Sequence, residues 1–116
     1  MKLDHDLIRS LLLHIEEITD GQQGYPMAGF AGSFPEYKDG IVRYHVKYLC
    51  DAAYVEHNGN KIYDITPKGR ECLDSIRSPE TWRQTKASIA KQALGQLSFE
   101  VMADVAKGLV AKALGM

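Results

Sequence analysis

The sequence lacks the features that mark secreted, disulfide-bonded and membrane-spanning proteins. Its two cysteines, Cys50 and Cys72, do not have the C-x-x-C spacing of redox and zinc motifs, so buried free thiols are expected. No segment reaches the roughly 18 apolar residues of a membrane helix, and no long apolar run follows the charged residues near Met1. We therefore expect a cytoplasmic protein with no signal peptide and no membrane partner.

Residues that could carry catalysis are scattered. The four histidines, His5, His14, His45 and His57, make no metal-ligand spacing with each other or with either cysteine. His45 is expected to be a packed, hydrogen-bonded residue on a helix flank. No phosphate-binding loop, dinucleotide fingerprint or Ser/His/Asp arrangement is present. The sequence therefore predicts no catalytic residue, no metal and no cofactor, and favours a protein that is not an enzyme.

The total charge is nearly balanced, although it is unevenly distributed along the chain. Fourteen basic and fifteen acidic residues give a net charge of −1 at pH 7. The first twenty residues carry two basic and five acidic side chains, and residues 78–116 carry five basic and three acidic ones. No global basic field therefore attracts this chain to nucleic acid or to a membrane.

A helix–strand–turn–strand pattern runs from Asp39 to Ile65. In its first half, apolar residues recur at steps of three or four, which places them on one helix face: Val42, Val46, Leu49 and Ala53. Asp39 is expected to cap this helix. In its second half, Asn58-Gly59 lies between aromatic and β-branched residues, which is typical of a β-hairpin.

Four further helices are predicted around this pattern. The first runs from Asp4 to Ile18, with Asp4 or Asp6 at its start, and Thr66-Pro67 begins another that ends near Arg77. The next runs from Pro79 to about Leu94, where Trp82, Ile89 and Ala93 share a face and Gly95 ends the helix. Ser98 is expected to cap a last helix that extends to about Leu114.

The segment from Gly21 to Tyr37 is rich in glycine and proline. At this density, a helix in the segment is expected to be missing or reduced to a turn. An extended piece from Met27 to Phe30 is expected to pair with the hairpin.

Two resemblances follow from these motifs. The run VRYHVKYLCDAAYVEHNGNKIYDITPKGRECLDSIR resembles the winged-helix core of many bacterial regulators, which has a helix, "HLxxLxxAGLI", a hairpin and "T-x-x-G-x-x-x-L". Ala53 stands where that pattern has glycine. The whole chain, through MKLDHDLIRSLLLHIEE, YHVKYLCDAAYV, ITPKGRECLDSIR and LSFEVMADVAKGLVAKALG, resembles the uncharacterised family called domain of unknown function 2513. This resemblance implies a winged-helix fold, frequent occurrence in phage or mobile elements, and no established activity.

These observations predict a mainly α protein with a small β-hairpin (α+β). We expect a winged helix-turn-helix core over residues 1–77 and a two-helix carboxy-terminal extension over residues 78–116.

Two functions stay open. In the first, the chain is a transcription regulator that binds double-stranded DNA through the helix and the hairpin, using Lys38, Arg43, Tyr44, Lys47, Asn58, Asn60 and Lys61. Residues 39–57 argue against it, because they carry two basic and three acidic side chains. In the second, the chain is an interaction or assembly module without DNA binding. A homodimer through the carboxy-terminal helices would use Trp82, Ile89, Val101, Met102, Val105, Leu109 and Val110.

Overall fold

The computed structural model describes residues 1–92 and 97–115, which are mainly helical with one small antiparallel sheet. The elements in chain order are α1 (His5–Ile18), β1 (Tyr25–Pro26), a 3₁₀ helix (Met27–Ser33), α2 (Asp39–Asp51), β2 (Val55–Asn58), β3 (Lys61–Ile65), α3 (Pro67–Ile76), α4 (Pro79–Gln92) and α5 (Phe99–Ala113). The predicted class, mainly α with a small β element, is confirmed.

The chain divides into two compact units. The amino-terminal unit is Asp4–Arg70, and the carboxy-terminal unit is Met1–Leu3 together with the residues from Glu71 onward. Helix α3 begins in the first unit and continues into the second.

Helix α1 supplies a large part of the buried apolar surface of the amino-terminal unit. Its side chains with no exposed surface follow the spacing of one helix face: Leu7, Ile8, Leu11, Leu12 and Ile15. Asp4 begins the helix as its N-cap, because its carboxylate accepts the Leu7 N–H at 3.0 Å.

The segment between α1 and α2 differs from the prediction. Met27–Phe30 is not extended, because Met27–Ser33 forms a 3₁₀ helix, and its run of Gly and Ala lacks the β-branched residues that favour a strand. The extended piece lies just before it, where Tyr25 pairs with Ile62 and Pro26 with Lys61. The sheet order is β1-β3-β2.

Helix α2 begins one residue away from the predicted position. Lys38 is the N-cap residue and makes no side-chain capping bond, so Asp39 is the first helical residue rather than the cap. Its carboxylate still lies in the first turn, where a negative charge is stabilised by the helix dipole.

The chain reverses between α2 and β2 at Ala53. This residue has a φ of +62°, the left-handed conformation that usually requires glycine. Two bonds hold the reversal, because the Tyr54 N–H donates to the Leu49 carbonyl at 2.9 Å and the Thr66 hydroxyl donates to the Ala53 carbonyl at 2.6 Å. The turn therefore forms here without the usual glycine.

The Thr66-x-x-Gly69 motif has a clear physical basis. Thr66 caps α3, because its Oγ1 accepts the Gly69 N–H at 3.0 Å. A Cβ on Gly69 would collide with the Tyr54 carbonyl oxygen and would come within 2.7 Å of Ile65 Cγ2. The motif thus joins the first turn of α3 to the strand that follows α2.

Within the carboxy-terminal unit, α4 packs against α5. The rings of Trp82 and Phe99 lie 6.3 Å apart, and both side chains are buried. Ser98 caps α5 as predicted, accepting the Val101 N–H at 3.3 Å. The predicted positions of Ala93, Leu94 and Gly95 lie outside the described residues.

Candidate nucleic-acid interface

One side of α2 is fixed inside the amino-terminal unit. Val42, Val46 and Leu49 have no exposed surface, and His45 is 1% exposed. The His45 Nε2 accepts the Asp4 N–H at 2.8 Å, and its other nitrogen, Nδ1, lies 2.7 Å from the Ile41 carbonyl oxygen. Since Nε2 must be an acceptor, Nδ1 carries the proton and donates to Ile41. The prediction of a packed, hydrogen-bonded histidine is confirmed.

The opposite side of α2 is exposed and carries three of the predicted DNA-contacting residues. Arg43, Tyr44 and Lys47 lie at helical spacings of three and four, so they share one surface. Arg43 makes no ion pair within residues 1–92 and 97–115, which leaves its guanidinium available to an anion. Tyr44 is 39% exposed and contacts His45 edge-on.

Lys47 is different from Arg43, because its charge is compensated. Its Nζ lies 2.6 Å from an Asp51 carboxylate oxygen, one helical turn further along. This hydrogen bond and the charge of Asp51 raise the pKa of Lys47. The two residues line a shallow cavity of about 230 Å³ together with Tyr44 and Tyr48. The sequence places Asp51 on this side of the helix, but its ion pair with Lys47 was not predicted, although the i,i+4 spacing is visible in the sequence.

The remaining predicted residues lie on the hairpin and before α2. Asn58, Asn60 and Lys61 are exposed at the hairpin tip, where Asn58 and Lys61 face each other across the two strands. Lys38 is exposed at the amino end of α2. The structure thus places the seven residues on two elements, the outer side of α2 with its amino end, and the tip of the hairpin.

Lys68 is an additional cation that the sequence reasoning missed. Its Nζ donates to the Ala52 carbonyl at 3.1 Å and lies 5.1 Å from the centre of the Tyr54 ring. The ammonium therefore lies beside the carboxyl end of α2, where a positive charge is favourable.

Comparison with known proteins identifies the family. The family model described as "Hypothetical protein (DUF2513)" matches residues 2–95. The chain belongs to the DUF2513 family. An uncharacterized protein of Haemophilus influenzae is 30% identical over 122 residues, which span 98% of this chain and 99% of that protein. No solved structure matches.

The family model ends before α5. It covers α1 to α4, whereas α5 begins at Phe99. The alignment with the Haemophilus influenzae protein nevertheless spans nearly the whole chain. In this DUF2513 protein, α5 therefore belongs to a region that the relative shares and the family model does not include.

The residues predicted to form a dimer have different exposures. Trp82 and Met102 are 4% and 3% exposed, so they fill the interior and offer almost no surface to a second copy. Val101 and Val110 are 41% and 37% exposed. Ile89, Val105 and Leu109 are half-buried. The apolar surface available to a partner is therefore narrower than the sequence pattern predicted.

The carboxy-terminal unit also contains a groove of about 350 Å³. Its lining residues come from α3 and α5: Glu71, Asp74, Ser75, Lys107, Val110 and Ala111. The Lys107 Nζ donates to a Glu71 carboxylate oxygen at 2.9 Å, which lowers the pKa of Glu71 and raises that of Lys107.

Metal-binding clusters and membrane-spanning helices are absent from the described ranges. Residues 1–92 and 97–115 contain no group of three or more His, Cys, Asp or Glu side chains placed to hold a metal ion. Within the same part of the chain, no helix is both long enough and apolar enough to span a bilayer.

Proposed function

We propose that this DUF2513 protein is a winged-helix DNA-binding protein, with the role of a transcription regulator. In this proposal, α2 enters the major groove and the β2–β3 hairpin contacts the phosphate backbone.

The order of the elements supports the winged-helix part of the proposal. A helix, a short strand, a short 3₁₀ helix, a second α-helix and a hairpin follow one another between His5 and Ile65. The first strand pairs with the second strand of the hairpin close to the hairpin tip, where Pro26 faces Lys61 and the Met27 N–H donates to the Asn60 carbonyl at 2.8 Å, so the backbone of the hairpin is held in place while the side chains at its tip stay exposed. This is the arrangement in which a DNA-reading helix is followed by a wing.

The observation that carries the proposal is the two-sided character of α2. Val42, His45, Val46 and Leu49 are buried on one side, and Arg43, Tyr44 and Lys47 are exposed on the other. A helix held rigidly by its inner side can present its outer side in a fixed orientation. Arginine and tyrosine at such positions can contact phosphate oxygens or base edges.

The charges near α2 set a limit on the affinity. Asp51 compensates Lys47, and Asp39 and Glu56 are exposed in the same region. Binding that depends on few uncompensated cations is expected to be weak and sensitive to salt, because phosphate neutralisation supplies most of the affinity. Arg43 is expected to contribute more than Lys47.

Fluorescence anisotropy on mixed genomic DNA fragments tests the proposal. At about 50 mM salt, the chain is expected to bind, and Arg43→Ala is expected to weaken binding and flatten the salt dependence by about one unit. Asp51→Asn is expected to strengthen binding, because it releases the Lys47 ammonium. Arg83→Ala is the matched control, since Arg83 lies on α4 and pairs with Glu80 at 3.2 Å. No binding at low salt would refute the proposal.

A second candidate, a protein-interaction module, is favoured by the exposed apolar side chains of α5. Val101 and Val110 are more than one-third exposed, and Leu114, just after the helix, is 67% exposed. Light scattering at high protein concentration tests self-association. A dimer that Val110→Glu dissociates would support this candidate, and a mass of 12.9 kDa at all concentrations would refute the homodimer.

A further inference from the structure

The amino-terminal unit contains a small cavity between the end of α1, β1 and the 3₁₀ helix. Its volume is about 160 Å³, and it is lined by His14, Ile18, Tyr25, Pro26, Gly29, Phe30 and Ser33. Cavities of about 150 Å³ with apolar walls accept a benzene ring. None of the lining residues belongs to the surface proposed to contact DNA, so the cavity is a separate feature.

Three polar side chains line this cavity: His14, Tyr25 and Ser33. None of the three forms a hydrogen bond with any other residue that the structure describes. The His14 ring is held by edge-on aromatic contacts instead, with its centre 6.0 Å from that of Phe30 and 5.7 Å from that of Phe34. Small-molecule sites are usually apolar pockets in which a few polar groups fix the orientation of the ligand.

The charges around the cavity select the kind of ligand. No lysine, arginine, aspartate or glutamate lines it. Ile18 is the last residue of α1, so the negative end of a helix dipole lies at the wall. Glu17 and Asp20 are exposed on either side of Ile18 in the sequence. An anion would therefore be disfavoured.

We propose that this cavity binds a small uncharged aromatic molecule, a single ring that carries a hydroxyl or amino group. The ring packs against Pro26 and Phe30, and the polar group exchanges a hydrogen bond with His14. The proposal does not depend on DNA binding.

The experiment is a nuclear magnetic resonance titration of the full chain with phenol, and with benzoate as the charged analogue. Phenol is expected to cause saturable shifts at Gly29, Ser33 and the His14 ring at millimolar concentration. Benzoate is expected to bind about tenfold more weakly, because a carboxylate beside His14 loses more hydration than a hydroxyl does and lies near the negative end of α1. Equal binding of both probes would overturn the uncharged-ligand assignment, as would the absence of saturable shifts below about 20 mM phenol.

Two glycines on the 3₁₀ helix give a matched pair of variants. A Cβ on Gly29 or on Gly32 meets no heavy atom within 4 Å, but only Gly29 lines the cavity. Gly29→Leu is expected to fill the cavity and weaken phenol binding at least about tenfold, whereas Gly32→Leu leaves it unchanged. Phenol shifts that persist in Gly29→Leu would overturn the proposal.

A second variant, His14→Phe, tests the proposal even if Gly29→Leu does not fold. His14→Phe keeps an aromatic ring beside Phe30 and Phe34 and removes both ring nitrogens, so phenol binding is expected to weaken about fivefold. Unchanged phenol affinity in His14→Phe would exclude His14 as the hydrogen-bonding group and overturn the proposal.

Discussion

Both compact units bury an apolar core, but the amino-terminal unit also depends on polar and backbone contacts that need an exact geometry. In the amino-terminal unit, polar bonds join segments that are distant in the sequence, as where His45 accepts the Asp4 N–H and the Thr66 hydroxyl donates to the Ala53 carbonyl. Glycine adds to them, because Gly69 allows two backbone segments to meet where no side chain would fit. Such contacts require one exact geometry and tolerate little change.

The carboxy-terminal unit depends on packing between helices. The rings of Trp82 and Phe99 are buried in its interior, and Ala103 and Ala106 are buried on α5. Its glycine in α5, Gly108, has open space where a Cβ would lie. The charges differ as well. Residues 4–70 carry seven basic and ten acidic side chains, and the rest of the chain carries seven and five. The comparison indicates that exact backbone fit matters in the first unit in addition to its apolar core, whereas the second unit depends mainly on helix packing.

Matched glycine substitutions should show the largest difference in stability effects between the two units. Gly69→Ala is expected to destabilise the protein by about 3 kcal/mol, because the new methyl group collides with the Tyr54 carbonyl. Gly108→Ala is expected to stabilise it by about 0.5–1 kcal/mol, because alanine is the better helix former and has room. Urea unfolding measures both. Equal effects of the two substitutions would contradict the comparison.

Removing the hydrogen bonds of His45 should cause the next largest change in the free energy of unfolding. His45→Phe keeps an aromatic ring but leaves the Asp4 N–H without its partner and removes the side-chain bond to the Ile41 carbonyl, at an expected loss of about 2 kcal/mol. His57→Phe, on the exposed hairpin, is the control and should change the free energy of unfolding by less than about 0.5 kcal/mol. If His45→Phe were as stable as the unmodified chain, the bond from Asp4 would have no structural role.

Helix starts and the hairpin tip could be predicted because their signals are local. Asp4, Thr66 and Ser98 each cap the helix that follows, and each lies three residues before the N–H that it accepts. The same reasoning was wrong by one residue at Asp39, because a capping residue and a first-turn acid have similar sequence signatures.

Contacts between distant segments could not be predicted in the same way. The pairing of Tyr25 with Ile62 depends on how the glycine-rich segment folds, and alternation of residue types does not encode it. The burial of Trp82 and Met102 could not be separated from a dimer surface either, since an apolar helix face has the same pattern in both cases. For the candidate site, the exposed residues of α2 were predicted correctly as an outer face, but the compensation of Lys47 by Asp51 was overlooked.

The reversal at Ala53 offers a smaller test of backbone fit in the amino-terminal unit. Ala53→Gly is expected to stabilise the protein by about 0.5 kcal/mol, because relief at a φ of +62° exceeds the added flexibility of the unfolded chain. Ala52→Gly is the control, since Ala52 has a φ of −84° and the change should destabilise by about 0.5 kcal/mol. Thermal unfolding of both variants measures the difference. Destabilisation by Ala53→Gly would show that the left-handed conformation carries no strain.

Among these changes, loss of the ion pair between Lys107 and Glu71 in the carboxy-terminal unit should have the smallest effect, which only a pH titration detects. Because Lys107 donates to Glu71, the pKa of Glu71 lies below its ordinary value of 4.5. The stabilisation from this pair is complete above pH 4.5 and is lost as the pH falls through the lower folded-state pKa. Carboxyl chemical shifts measured against pH should return towards the ordinary value in Lys107→Met.

Asp20 provides the internal control for that titration. Its pKa is lowered by the backbone N–H groups of Gln23 and Gln22, which donate to its carboxylate at 3.0 and 2.9 Å. Lys107→Met should therefore leave the Asp20 titration unchanged, and added salt should raise the pKa of Glu71 more than that of Asp20, because salt screens charge pairs. A Glu71 titration that does not respond to Lys107→Met would mean that the pair does not form in solution. The packing of α4 against α5 would then hold the carboxy-terminal unit without help from this surface charge pair.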